Sequence, residues 1–473
     1  MASYSGQGVG VSMGVLPAQF VSLMQQQWGT EETERLCRSL SETDPSVSVR
    51  LNPFKAPSGV RVGEQVPWCE EGFYLNGRPA FTFDPLLHAG VYYVQDASSM
   101  FLCCILRQCV RRPVAALDLC AAPGGKSTLL AACLPEGSLL VSNEPLRQRA
   151  QVLAENMAKW GRPDGVVTQN YPADFAPLEH VFDLVVADVP CSGEGMFRKD
   201  AQAVEEWSLH NVDLCWRRQR EIVEAVWPAL KPGGLLVYST CTFNRLENED
   251  NVDWICSRLG AEQVAIQVEP AWGIQGNYHF LPGRVRGEGQ FMAVLRKAGE
   301  ADAAATSWPL SGAERKRRAG DKGSRKPGAT PEPKHLREWV EGDFHFFLRD
   351  ESYCAFPQAY AGLLPQLGRL CVLSCGVTLA TMKGRDWQPH HALAMSTARR
   401  ADAFPVASLD YEQALAYLRH EAIQVEAPRG YVLVAYQGHP LGFVKNLGAR
   451  ANNLYPQEWR IRSGHTTPFS LIP

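Results

Sequence analysis

The feature that most limits how this chain can fold is a regular alternation of short apolar runs and longer amphipathic stretches between residues 114 and 240. The apolar runs are typical of buried strands, and most of the intervening stretches are typical of helices. They predict strands at 114–119, 138–143, 165–169, 182–188 and 234–240, and helices at 126–133, 146–160 and 211–230. This order indicates βαβ units and an α/β fold whose mostly parallel sheet is covered on both faces. Ligands bind such sheets beyond the carboxyl ends of the strands.

The size and composition of the chain exclude several classes of protein. A chain of 473 residues is expected to hold two or three domains, because single cores stop growing at ~250 to 300 residues. No apolar run reaches the ~18 residues of a membrane span, and the Gly-rich start resembles no signal peptide, which predicts a cytoplasmic protein without membrane contact. The net charge of -3 means that any nucleic-acid binding needs local basic patches.

The cysteines predict reduced thiols and no metal site. Fourteen cysteines in a long chain without a secretion signal do not indicate a disulfide framework. No paired Cys-x-x-Cys set with histidine partners occurs, so we expect no metal. Cys103 and Cys104, and likewise Cys371 and Cys375, are predicted to fill core positions.

The regions on either side of the alternation are less regular. Two N-terminal helices are predicted, at 16–28 and from Thr30, followed by an edge strand at 47–52. Arg50, Asn52 and Lys55 fit an RNA-facing surface or a solvated strand end equally well. Residues 299–334 have the composition of a disordered linker, and beyond it we predict a helix at 411–420 and strands at 430–436 and 441–445.

The segment 117–127 has the form of a strand, a tight glycine turn and a helix start that can approach a nucleotide closely. It lacks the G-x-x-x-x-G-K-[ST] spacing of a phosphate loop, so ATP binding is disfavoured. Glu144 follows the next strand and fits a ribose ligand, with a helix N-cap as the alternative. Asn170 follows the third strand and suits either an adenine contact or a turn.

Two cysteines stand at the ends of the fourth and fifth predicted strands, in Asp188-Val189-Pro190-Cys191 and Ser239-Thr240-Cys241. Either cysteine alone is explained by burial, because free cysteine is among the most buried residues. Both together suit methyl transfer to carbon 5 of cytosine, which is a poor nucleophile until a thiolate adds to carbon 6. That reaction also needs an acid near ring nitrogen 3 and a base for the proton on carbon 5.

These motifs resemble the Sun-type RNA 5-methylcytosine methyltransferase family, in particular its RsmF-like branch, which acts on small-subunit ribosomal RNA. The resemblance covers most of the chain. It is carried by Leu16-Pro17-x-x-Phe20 and by residues 50–53, 92–98, 120–126, 188–197, 231–234, 239–244 and 247–249.

The resemblance implies a role for each candidate site residue. Cys241 is the nucleophile on carbon 6, Cys191 assists release, and Asp188 holds ring nitrogen 3 beside the methionyl part of S-adenosylmethionine. The rest of this cofactor is bound by Cys120, Ala121, Ala122, Pro123, Gly124, Gly125, Lys126 and Glu144. Asn170 stands where many relatives carry an aspartate, so the adenine contact there is less certain.

The resemblance also implies the whole architecture, a Rossmann-like class I S-adenosylmethionine-dependent methyltransferase with an N-terminal α+β RNA-binding segment and a C-terminal α+β PUA-like domain. The expected divisions are an N-terminal segment (1–105), a catalytic domain (106–298), the linker (299–334), a middle domain (335–425) and a PUA-like element (426–473). Between Lys445 and Arg462, basic residues interleaved with Tyr455 and Trp459 suit either RNA contacts or an ordinary barrel surface.

The expected partner is ribosomal RNA or the small ribosomal subunit rather than DNA, and the chain is expected to be a monomer. Three alternatives stay open at this point. They are the same chemistry on tRNA, a catalytically idle RNA-binding assembly factor, and a DNA cytosine methyltransferase in which Cys191 is the attacking thiol.

Overall fold

The computed structural model describes residues 16–300, 332–464 and 468–472, so most of the predicted linker lies outside the described residues. The helices are α1 (Ala18–Trp28), α2 (Thr30–Glu42), α3 (Pro85–His88), α4 (Phe101–Cys109), α5 (Gly125–Cys133), α6 (Arg147–Trp160), α7 (Ala201–Glu206), α8 (Leu209–Val226), α9 (Glu249–Leu259), α10 (Leu364–Leu367), α11 (His391–Met395) and α12 (Tyr411–Leu418). The strands are β1 (Val47–Leu51), β2 (Glu64–Gln65), β3 (Gly72–Leu75), β4 (Tyr92–Val94), β5 (Ala115–Asp118), β6 (Leu139–Asn143), β7 (Gly165–Thr168), β8 (Phe182–Asp188), β9 (Leu230–Thr240), β10 (Ala261–Gln263), β11 (His279–Phe280), β12 (Gln290–Lys297), β13 (Phe344–Arg349), β14 (Ser352–Pro357), β15 (Val372–Cys375), β16 (Val377–Lys383), β17 (Asp386–Pro389), β18 (Val406–Leu409), β19 (Gly430–Tyr436), β20 (His439–Asn446) and β21 (Ala451–Asn453).

The central sheet has the strand order β10-β12-β9-β8-β5-β6-β7-β15, with β11 paired to β12. The strands from β9 to β7 are parallel, whereas β12 and β15 pair antiparallel at the two sides. The chain runs from β5 outward to β7 and then returns to β8 on the other side of β5. The strand order therefore reverses between β5 and β8, and ligands of such sheets bind in the crevice at this point.

Helices cover both faces of this sheet, because the apolar side chains of each strand point alternately to one face and the other. Ala116 of β5 packs in one core with α4, α5 and α6, while its neighbours Ala115 and Leu117 pack in a second core with α8 and α9. Successive strand residues point to opposite faces, so an uninterrupted apolar run requires cover on both. The predicted parallel sheet, covered on both faces, is confirmed.

The N-terminal sheet has the order β2-β3-β1-β4, so the predicted strand at 47–52 exists but lies inside the sheet. Its prediction as an edge strand is wrong, because the short β4 covers its second side. Both hypotheses for Arg50 and Asn52, an RNA-facing surface and a solvated strand end, are wrong, because the two side chains are buried. The Arg50 guanidinium donates to Thr128 Oγ1 at 2.6 Å and lies over the ring of Trp160. Asn52 Nδ2 donates to the carbonyls of Gly90 and Trp160.

The C-terminal half contributes two further sheets, with orders β13-β14-β16-β17 and β18-β19-β20-β21. The predicted helix at 411–420 and strands near 430–436 and 441–445 are confirmed as α12, β19 and β20. Strand β18 pairs parallel to β19, so this sheet begins before residue 426. Tyr455 is 1% exposed and therefore unavailable for base stacking, which leaves Trp459 as the half-exposed aromatic of that stretch.

The N-terminal and C-terminal sheets share one apolar core. Val49 and Phe73 of the first sheet pack in the same cluster as Leu415 of α12, Val434 of β19 and Leu441 of β20. Two polar contacts join the same regions. The Asp84 carboxylate accepts a hydrogen bond from the backbone N–H of Leu471 at 2.9 Å, and the Tyr411 hydroxyl donates to the Phe83 carbonyl at 2.9 Å. The N-terminal and C-terminal sheets therefore form one body.

Two further predictions concern membrane-spanning helices and buried cysteines. None of the helices in residues 16–300, 332–464 and 468–472 is both long and apolar enough to span a bilayer. Cys103, Cys104 and Cys375 are buried as predicted, whereas Cys371 is exposed because it lies just before β15, at the rim of the central sheet.

Candidate active site

The two predicted thiols meet because Cys191 follows β8, Cys241 follows β9, and these parallel strands are neighbours. Their Sγ atoms lie 3.0 Å apart, and the backbone N–H of Cys241 points to Cys191 Sγ at 3.3 Å. The hydrogen bond with Cys241, together with burial, raises the pKa of Cys191 well above its ordinary value. Cys191 is therefore a neutral thiol at neutral pH.

Asp188 is the last residue of β8 and lies at the same rim. Lys126 Nζ is 2.8 Å from its Oδ2, and the Ser239 hydroxyl donates to its Oδ1 at 2.9 Å. Burial alone would lower the pKa of Lys126, but the contact with Asp188 outweighs it and the pKa is raised. Lys126, predicted as a cofactor ligand, thus forms an ion pair with the reacting carboxylate.

The predicted cofactor loop connects β5 to α5 at the reversal point of the sheet. Gly124 has φ of 119°, a left-handed conformation that favours glycine, and α5 begins at the next residue. Asp118, at the end of β5, accepts from Ser127 Oγ at 2.6 Å through Oδ2, while its buried Oδ1 has no hydrogen-bond partner. Burial raises the pKa of Asp118 to about 7.

Glu144 and Asn170 lie at the next two strand ends, as predicted. Glu144 Oε1 accepts from the backbone N–H of Leu146 at 3.1 Å, and its Oε2 lies 3.4 Å from an Arg149 nitrogen. Asn170 Oδ1 accepts from the backbone N–H of Cys371 at 3.0 Å, and its Nδ2 donates to Asp174 at 3.3 Å. The amide of Asn170 is thus already bonded at both ends, and its adenine contact stays a prediction.

The donor set suits S-adenosylmethionine on chemical grounds. The unpaired Asp118 Oδ1 and the Glu144 carboxylate can accept hydrogen bonds from ammonium or ribose hydroxyl groups. The Gly124 turn and the start of α5 offer backbone N–H groups to a carboxylate. The loop residues 120–126 follow β5, the neighbour of β8, so they lie beside the strand end that carries Asp188 and Cys191.

Several contacts that hold the thiol loops were not predicted. Glu194 and Glu247 are fully buried carboxylates of the loops after β8 and β9, and Asn244 joins them. On the outer side, Gln27 of α1 donates to the Phe243 carbonyl at 2.8 Å and accepts from the Arg245 N–H at 2.7 Å. Glu194, Asn244 and Glu247 fall inside the motifs that carry the resemblance, but the motifs do not show which loop each side chain binds. Gln27 lies outside these motifs.

A second thiol group lies away from this site. Ligand atoms of Cys69, Glu71 and Cys103 lie within 4.8 Å of one another, and Cys133 Sγ is 3.0 Å from Cys103 Sγ. Hydrogen bonding between Cys69 and Cys103 and burial raise the pKa of Cys69 well above its ordinary value, which favours neutral thiols over metal ligands. The absence of a metal stays a prediction.

Three family matches cover most of the chain. Residues 16–97 match the N-terminal domain of the 16S rRNA methyltransferase RsmF, residues 111–296 the 16S rRNA methyltransferase RsmB/F, and residues 404–461 the PUA domain of the methyltransferase RsmF. The ribosomal RNA small subunit methyltransferase F of Erwinia tasmaniensis is 32% identical over 83% of this chain and 84% of its own. That of Klebsiella pneumoniae is 33% identical over 87% of this chain and 89% of its own.

Solved structures agree on the fold. The structure of NSun6 from Pyrococcus horikoshii with SFG, an S-adenosylmethionine analogue, has a TM-score of 0.52 and covers 60% of this chain and 99% of its own at 19% identity. The central sheet is therefore that of an S-adenosylmethionine-dependent methyltransferase, with an RsmF-type N-terminal domain and a C-terminal PUA domain. With this sheet, both flanking domains and identity above 30% along most of its length, the chain belongs to the RsmF family of ribosomal RNA small subunit methyltransferases.

Proposed function

We propose that this enzyme methylates carbon 5 of a cytosine in small-subunit ribosomal RNA through a covalent bond between Cys241 Sγ and carbon 6. The observation that carries the proposal is the contact of two thiols beside a carboxylate, with Sγ atoms 3.0 Å apart, at the rim of the cofactor crevice. Methylation of an exocyclic amine would need no thiol. A mechanism that uses one thiol would need no second thiol in contact with it.

The reaction needs four events that these residues can serve. Cys241 adds to carbon 6, and the proton that neutralises ring nitrogen 3 comes from the Lys126 and Asp188 pair. S-adenosylmethionine supplies the electrophilic methyl group that carbon 5 captures. The proton on carbon 5 then passes to Cys191 Sγ while the Cys191 proton passes to the departing Cys241 sulfur, and the S–C6 bond breaks. Ring nitrogen 3 returns its proton to the Lys126 and Asp188 pair, and the one proton that the reaction releases leaves through Cys241 to solvent.

The two thiols are assigned to these roles by their surroundings. The raised pKa of Cys191, caused by its bond to Cys241 and by burial, suits a proton carrier rather than an attacking thiolate. Cys191 Sγ also accepts a hydrogen bond from the backbone N–H of Cys241, which holds it next to the nucleophile. Since carbon 6 cannot be reached inside a stacked helix, the target cytosine has to be looped out or flipped.

The test is transfer of a labelled methyl group to small-subunit ribosomal RNA, with bisulfite sequencing to locate the product. We expect Cys241→Ala to reduce methylation to background, and Cys191→Ala to accumulate a protein–RNA adduct that survives denaturation. An oligonucleotide carrying 5-fluorocytosine should attach irreversibly to the wild type through position 241. Methylation by Cys241→Ala at the wild-type rate would refute the mechanism.

The same assay separates the alternatives. Methylation of tRNA but not ribosomal RNA would change the substrate, and absence of transfer to any cellular RNA would favour an idle assembly factor. A DNA cytosine methyltransferase would require Cys191 and spare Cys241. We propose that the enzyme works as a monomer, because the described residues supply every protein group that the reaction needs, and that it acts in the cytoplasm.

A further inference from the structure

The loop that carries Cys191 and the loop that carries Cys241 are joined by two buried carboxylates, each of which belongs to one loop and binds the other. Glu194, in the Cys191 loop, accepts hydrogen bonds from the backbone N–H groups of Phe243 at 2.6 Å and Asn244 at 3.0 Å. Glu247, in the Cys241 loop, accepts one from the backbone N–H of Ser192 at 3.0 Å. The bonding between the loops is therefore reciprocal and adjacent to both thiols.

Asn244 connects the two carboxylates. Its Nδ2 donates to Glu194 Oε1 at 2.9 Å and Glu247 Oε1 at 2.8 Å, and its Oδ1 accepts from the backbone N–H of Glu247 at 3.0 Å. All three side chains are 0% exposed. We refer to Glu194, Asn244 and Glu247 as the cross-brace.

The cross-brace joins the two loops through buried carboxylates, and removing a carboxylate from water costs free energy. Within the described part of the chain, the partners of the two carboxylates are backbone amides, the amide side chains of Asn244 and Gln219 and the Trp207 indole N–H, with no cation among them. Buried carboxylates without a cation are tolerated only when their oxygens are fully hydrogen-bonded. Charged acceptors also form the strongest and shortest hydrogen bonds, which fixes geometry.

We infer that the cross-brace residues are positioning residues that fix Cys191 against Cys241, so that the protons can be exchanged when the methylated cytosine is released. The inference rests on the proposed function. Of the two sulfurs, attack on carbon 6 requires only that of Cys241, whereas release requires both at contact distance. A loosened cross-brace should therefore slow release more than attack.

The chain offers a matched pair of variants for the test. Asn248 is also 0% exposed and lies in the Cys241 loop, but its side-chain bonds stay within that loop, from Thr240 Oγ1 at 2.6 Å and to the Thr242 carbonyl at 3.0 Å. With unmodified RNA and cofactor, we expect Asn244→Ala to lower kcat by about 10- to 100-fold with little change in KM. We also expect it to accumulate an adduct that survives denaturation. Asn248→Ala should show no such accumulation.

The ratio of trapped adduct to methylated product is the decisive readout, because a smaller folded fraction lowers both without changing their ratio. If Asn244→Ala folds too poorly to measure, Glu247→Gln tests the same link with a side chain of nearly the same shape, at a pH above about 7 where the Glu247 carboxylate is ionised. A wild-type ratio in these variants would overturn the inference. Absence of any adduct in the wild type with 5-fluorocytosine RNA, or methylation by Cys241→Ala, would instead overturn the proposed function.

Discussion

Lys126 and Asp188 form an ion pair at the C-terminal end of β8, and a similar pair stands at its other end. There, Lys231 Nζ lies 2.9 Å from Asp183 Oδ1, compared with 2.8 Å for Lys126 and Asp188. We expect Lys126→Met to reduce kcat by about 100-fold, because proton transfer to ring nitrogen 3 loses its source. Lys231→Met, which breaks the pair far from the thiols, should leave kcat per folded molecule unchanged. Equal losses of kcat would contradict the role of Lys126.

Glu247 makes stability depend on pH. Burial, and then the neighbouring Glu194, raise its pKa from 4.5 to about 7 in the folded chain. The folded state therefore binds a proton more tightly than the unfolded state, so this contribution is complete below pH about 4.5 and is lost as pH rises to about 7. Other ionisable groups facing Glu247 are Cys191, Cys215 and Tyr238.

The measurement is the free energy of unfolding by urea across this range for the wild type and Glu247→Gln. The difference between the two proteins should shift in favour of the variant between pH about 4.5 and 7 and then become constant. A difference that does not vary with pH would show that Glu247 titrates normally.

The sequence predicted those site residues whose position follows from strand ends. Asp188, Cys191 and Cys241 end neighbouring parallel strands, so their convergence follows from the strand pattern of the sequence alone. Arg50 and Asn52 could not be placed in this way, because their burial depends on partners such as Thr128 and Trp160, far along the chain.

At the scale of elements, helix α1 supports the thiol loops from outside. The ring of Phe20 packs edge-on against Phe197 at 5.2 Å and Trp207 at 5.7 Å, in a core that also contains Phe243. We expect Phe20→Ala to reduce the free energy of unfolding by about 3 to 5 kcal/mol. Gln26→Ala, at an exposed position of the same helix, should stay within about 0.5 kcal/mol. Denaturant titration of both variants checks this, and similar losses would argue against a specific role for Phe20.

Element types were more predictable than element neighbours. The catalytic strands and helices follow from apolar periodicity, and the structure confirms them within a few residues. The inner position of β1 and the addition of β15 to the catalytic sheet depend on pairing between distant segments, which periodicity does not encode. The cross-brace escaped prediction for the same reason, since its function depends on which loop each glutamate reaches.

At the scale of the whole molecule, the N-terminal sheet is stabilised by the C-terminal sheet through their shared core. We expect a chain ending at residue 403 to lose cooperative unfolding of the N-terminal region and to aggregate, because the apolar face that β1 and β3 present becomes exposed. Thermal unfolding followed by tryptophan fluorescence, with the full chain as control, tests this. A truncated chain that keeps the Tm of the full chain would show that the first sheet is stable alone.

That shared core also affects the order in which parts of the protein can fold during synthesis. Translation delivers β1 and β3 hundreds of residues before α12, β19 and β20, the elements that cover them. Domains usually fold as they emerge, starting from the N-terminus. Here the first sheet stays half uncovered until α12, β19 and β20 have left the ribosome, so its folding is completed only long after its own strands are synthesised.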